Sequence, residues 1–244
     1  MTRFTKLMVG LAVTLFLGAT PYGATATPIT FTGSSGGLSA SASFEVIGSN
    51  LRVVLTNTSS ADVLVPANVL TGLFFDLNGV GALTPVSALL SGGSTVFFGP
   101  NGGGNVGGEW AYASGIAAPG GATEGISSAG LGLFGAFNFG GSDLTPPTAV
   151  NGLNYGITSA GDNTATGNAE VTGNVPLIKN QVMFTLSGIP AGFVLDGGIA
   201  DVSFQYGTAL TEPNVTVPEP GTLLLLGSGL IGLAVYSRKL SRKR

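Results

Sequence analysis

The chain has 244 residues, 44% of them hydrophobic and only 9% charged; 41 are glycine, and there is no cysteine or histidine. Its net charge is −3, and the part left once the basic ends are set aside is more acidic still, a surface that repels phosphate backbones and excludes nucleic-acid recognition. Lacking thiolate and imidazole, it has no disulfide staple, no ordinary zinc site, no Ser-His-Asp triad and no Cys-His pair.

The first element in chain order is an export signal. Arg3 and Lys6 form a positive n-region, residues 7–17 an apolar h-region too short to span a bilayer, and residues 18–26 a c-region of small side chains. Ala24 and Ala26 occupy the two positions that a signal peptidase pocket reads, so residues 1–26 are expected to be removed after translocation by the Sec machinery. What remains up to Val217 is residues 27–217, long enough for one substantial domain with its own core. Arg52 and Lys179 are its only basic residues, against all the acidic ones except Glu219. The exported part therefore carries about −9, which argues for solubility and against anionic lipid surfaces.

Residues 38–46 alternate apolar and polar at period two and residues 51–56 follow after Gly48-Ser49-Asn50, the pattern of a hairpin with one buried face. With Ser49-Asn50 as the two-residue turn, Phe44 faces Leu55 and Val46 faces Val53. Further strands are expected over 69–77, 86–90, 95–98, 109–113, 153–157, 181–186 and 202–206. Glycine clusters at 99–108, 115–125 and 130–141 predict long, partly ordered loops through 91–148. No long amphipathic helix and no fixed repeat is visible. The expectation is an all-β fold: a single antiparallel β-sandwich, jelly-roll-like, with long Gly-rich loops.

Four local patterns bear on chemistry. Residues 102–107 match G-x-G-x-x-G, but no helix opens after them, and a dinucleotide site needs one. Asp76-Leu77-Asn78-Gly79 resembles the start of a calcium loop, yet position 87 is Ser87 where the closing glutamate belongs. Asp196 and Asp201 flank Gly197-Gly198, which reads as a turn between strands. Trp110 and Tyr112 share one strand face beside Glu109, the spacing of a sugar-stacking platform and equally of a packed core. No catalytic residue, metal ligand or cofactor is assigned.

The last segment is the most specific. Pro218-Glu219-Pro220-Gly221 precedes an apolar stretch over 222–236 containing Gly227, Gly229 and Gly232, and five of the final seven residues are Arg or Lys. As a helix, 222–236 is about 22 Å long, short of the roughly 30 Å of a hydrocarbon core. Cationic residues beside it hold the C-terminus on the cytoplasmic side, so the preceding domain faces outward. An ordinary single-pass anchor is the alternative reading of the same pattern.

Tripeptide, short helix and basic end in this order resemble the PEP-CTERM sorting signal of Gram-negative bacteria, placing a sorting region at 218–244. The resemblance implies recognition of Pro218, Glu219 and Pro220 by an exosortase, an integral-membrane protease that removes helix and tail after a transient stay in the inner membrane. It also implies a destination at the cell surface or outside the cell, in association with exopolysaccharide. Residues 59–66, 107–112 and 202–208 are similar to segments shared by one group of exosortase-dependent surface proteins, which implies one domain across the exported length but no catalytic residues. Two functions are therefore expected: a non-enzymatic surface or biofilm-matrix protein, or a carbohydrate-binding β-sandwich contacting glycan through Trp110 and Tyr112. A glycosidase using two carboxylates comes third.

Overall fold

The computed structural model describes residues 27–135, 138–148, 150–165, 175–218 and 231. The signal peptide with Ala24 and Ala26, and Glu219 and Pro220 with nearly all of the apolar stretch behind them, lie outside these residues. Among the described residues no helix is long and apolar enough to cross a membrane.

The chain is mostly β and builds two sheets. β1 (Ile29–Ser35), β2 (Leu38–Ile47), β3 (Asn50–Asn57), β11 (Gln181–Ser187) and β5 (Thr84–Leu90) form the first, in the order β1-β2-β3-β11-β5, antiparallel throughout. The second runs β13 (Asn214–Thr216), β12 (Ile199–Tyr206), β4 (Leu70–Leu77), β9 (Ile157–Thr158), β10 (Leu177–Lys179), β6 (Thr95–Phe97). Its β9–β10 pair is parallel. The far edge of β4 is divided: Leu70 pairs with β9, while 72–75 pair with β8 (Glu124–Ser127), on which β7 (Ala111–Ser114) is laid.

Period-two alternation explains the first sheet. Ala40, Ala42 and Phe44 of β2, Leu51, Val53 and Leu55 of β3, and Val182, Phe184 and Leu186 of β11 are all buried, with the intervening residues on the outer face. Register aligns one row across all five strands, Ile29–Phe44–Val53–Phe184–Ala88. Large and small side chains alternate along it, so rings from the second layer fit between them. Phe75 meets Phe44 edge-on at 5.3 Å, and Trp110 meets Phe184 at 4.9 Å. Side chains of both sheets share this core. On the outer face of β2–β3, Glu45 and Arg52 are cross-strand partners and pair their charges.

Three expectations need correction. The β2–β3 turn is Gly48-Ser49, with Gly48 at φ 63°, so Phe44 stands opposite Val53 and Val46 opposite Leu51. Glycine at the first turn position is what a II′ hairpin requires. The two-residue slip preserves every face, because the side-chain period is two. Residues 153–155 belong to a turn and only Ile157–Thr158 is strand, and Glu109 belongs to a short 3-10 turn, Gly107–Glu109. The glycine-rich middle is packed structure: it carries β7 and β8, and some of its glycines sit where a neighbouring segment leaves no room for a side chain. A Cβ on Gly108 would lie 2.1 Å from Ser142 O, and one on Gly125 within 3 Å of Phe134, Ile116 and Phe74.

Candidate functional site

The C-terminal edge of the domain leads directly into the sorting residues. β13 pairs with β12 through Ser203–Thr216, Phe204–Val215 and Gln205–Asn214. Val215 is buried, and the Asn214 amide donates to Gln205 Oε1 at 3.2 Å. One further bond, Val217 N to Val202 O at 2.9 Å, carries the pairing to the residue before Pro218. Thr216 and Pro218 are exposed. Proline cannot donate to a ladder, and its fixed φ favours extended chain, so the sheet ends there for a reason visible in the sequence.

Trp110 and Tyr112 are brought together, as their spacing predicts, but facing inward. Trp110 is 0% exposed against Phe184, and Tyr112 is 3% exposed. Neither presents a ring face to solvent, which removes the sugar-stacking role expected for them. Tyr112 Oη instead accepts from Leu83 N at 3.2 Å and donates to Glu124 Oε2, tying β7 to β8 and to the segment before β5. Burial, followed by the contact with Glu124, pushes the Tyr112 phenol up. Burial first, and the Asp76 charge after it, raise the Glu124 carboxyl, while the Tyr112 hydrogen bond acts the other way. An apolar cleft of about 380 Å³ opens beside Tyr112, lined by Leu83, Pro85, Ile116 and Leu133.

Glu109 is buried and accepts from Leu144 N at 2.6 Å and Thr145 N at 3.0 Å. Burial raises its carboxyl and the two amide donors oppose that; its place is a staple between a turn and the 142–145 segment. Asp76 accepts from both Thr123 N and Thr123 Oγ1, pinning the start of β8. The G-x-G-x-x-G glycines form two short 3-10 turns, Gly102–Gly104 and Gly107–Glu109, and no α-helix follows. Asp196 sits in a turn with Gly197 at φ 72°. Among the described residues no group of three or more His, Cys, Asp or Glu gathers as metal ligands. Sequence reading missed the bond between Tyr112 and Glu124 and the Asp62–Asp162 seam, where Val63 N donates to Asp162 Oδ1 and Asn163 N to Asp62 Oδ1, both at 3.0 Å; only the topology brings these residues together.

Residues 216–239 match the family model described as the PEP-CTERM protein-sorting motif. No curated protein and no solved structure matches the chain. The motif begins on the last residue of β13, so the recognised segment and the folded domain share Thr216.

Proposed function

From the premise that this chain carries a PEP-CTERM motif and is thereby marked for exosortase-dependent sorting to the cell surface, we propose that it is a non-enzymatic β-sandwich protein of the envelope or biofilm matrix, displayed with exopolysaccharide. The observation that carries this reading is the position of the motif. It starts where the sheet ends, and the predicted signal-peptidase site after Ala26 lies just before β1 begins at Ile29. Both processing points bracket one fold, so export and trimming would leave a whole domain with no stalk at either end. The structural work given to the buried carboxylates supports a role without catalysis: Glu109 and Glu124 each hold a packing contact together.

In this reading the helix over 222–236 is a transient inner-membrane anchor, and the exosortase and signal peptidase are the processing partners. Fractionation of the host tests it. Wild-type protein is expected in the surface and exopolysaccharide fractions with a C-terminus near Pro218, and a strain lacking the exosortase is expected to keep a tailed form in the inner membrane. Mature surface protein ending at Arg244, or equal recovery from matrix in both strains, contradicts the reading.

A further inference from the structure

Open sheets end in edge strands whose outward N–H and C=O groups can pair with another chain. Folds blunt such edges with short strands, proline, bulges, charge or a covering loop. Four edges among the described residues are blunted in these ways. β13 and β6 have three residues each, and β13 stands between Pro213 and Pro218. β5 holds Pro85, breaks register against β11 between Thr185 and Leu186, and is bridged by Asn105 and Gly140. Asn138 bridges β7 at Ala111.

β1 has none of these devices. Its seven residues carry no charge and no proline, and its register with β2 is unbroken from Ile29–Phe44 to Ser35–Leu38. Among the described residues no strand pairs with its outer side. Antiparallel pairing with β2 leaves the N–H and C=O of alternate residues pointing outward along it. Thr30, Thr32 and Ser34 are exposed, while Ile29 and Phe31 pack on the core and stay only half-buried. With residues 1–26 removed, Thr27 and Pro28 alone precede β1, too few to fold back as a cover.

Charge selects the occupant. The exported domain is acidic enough to repel its own copies, yet the strands of the first sheet carry only Glu45 and Arg52, which pair with each other. The β1 edge is therefore where two copies can meet without opposing carboxylates. We propose that β1 pairs antiparallel with β1 of a second copy about a twofold axis at Thr32, joining two five-stranded sheets into one. This register uses all seven residues and keeps each face with its own kind. Thr32 then stands opposite Thr32, and Phe31 opposite Gly33, which has no side chain to oppose the ring. Pairing rests on the export processing above and not on the destination, so fractionation and sedimentation fail separately.

Sedimentation velocity of the purified exported protein over a concentration series should show a reversible dimer. Thr32→Lys puts two cations face to face on an exposed position, so it should fold with the wild-type Tm and raise the dimer Kd by ~10-fold or more. Thr84→Lys, which makes the same charge change on the blunted β5 edge, should leave Kd unchanged. The chain has no cysteine, and facing residues of an antiparallel pair lie within disulfide reach, about 5 Å between Cα atoms. Thr32→Cys should therefore oxidise to a cross-linked dimer with the wild-type Tm or higher. A wild-type protein that stays monomeric up to its solubility limit overturns the proposal. So does a dimer that survives Thr32→Lys and leaves Thr32→Cys uncross-linked, since association would then use another face.

Discussion

Trp110 shows how one side chain settles between two roles that its sequence context leaves open. Its ring is enclosed against Phe184, and its Nε1 has no hydrogen-bond partner, so its contribution is packing. Trp110→Ala should cost about 3–5 kcal/mol in urea unfolding, and Trp110→Phe far less, because a ring survives and the buried N–H is removed with it. Comparable losses in the two variants would mean that the indole has a partner or a role beyond volume. Glu124 gives a second test at this scale. Burial raises its carboxyl in the folded state, so between the unfolded and folded values the native protein holds more protons than the unfolded chain. Its contribution is then greatest below the unfolded value and is lost as pH rises through the folded one. Glu124→Gln cannot ionise, so unfolding midpoints measured from about pH 4 to pH 8 should fall less steeply in the variant than in wild type. A parallel slope would assign the pH dependence to other buried acids, Glu109 and Asp162 first.

Glycine decides what the middle of the chain becomes. In β8, Gly125 allows Phe74 and Phe134 to approach on the outer face of β4, where their rings stack at 6.3 Å. Gly125→Ala should destabilise by about 1–3 kcal/mol, whereas Gly135→Ala, with open space around its Cβ, should change unfolding by less than about 0.5 kcal/mol. Similar small effects at both positions would mean that the β8 packing is loose after all. The same contrast explains what was legible in the sequence. β2, β3 and β11 announce themselves by alternation, because each has one face in the core; β12 alternates in chemistry although residues 202–206 are buried on both faces. β4 does not alternate, since Leu70–Phe75 are buried on both faces, and its strength as a strand comes from its apolar run. β1, β8, β10 and β13 were missed: they are short, or rich in Thr, Ser and Gly, and are fixed by neighbours far along the chain. The hairpin turn was misplaced by one residue, since Gly48-Ser49 and Ser49-Asn50 are both good turn chemistry and give the same buried face.

For the whole molecule, the sorting signal was legible because it is local: a fixed order of tripeptide, apolar run and basic end needs no tertiary contact to be read. The Asp62–Asp162 seam was illegible for the opposite reason, as nothing in either loop's own sequence points to the other. What the fold adds to the signal is its distance from the domain. Pairing continues through Val217 N to Val202 O, so Pro218 leaves the sheet without a linker, and Glu219 is the next residue in the sequence. A bilayer-embedded protease must then work with the domain pressed against the membrane surface, or wait until β13 frays. Since the chain has no cysteine, a single disulfide between Ser203→Cys and Thr216→Cys, which are Cα partners, can hold β13 on β12. If fraying is needed, the oxidised variant should accumulate with its tail, and reductant should restore trimming. Glu219→Ala should accumulate the same tailed species regardless of redox state, because it alters recognition and leaves access unchanged. Normal trimming of the locked variant would show that the protease reads the tripeptide flush against the folded edge, and normal trimming of Glu219→Ala would remove that residue from recognition altogether.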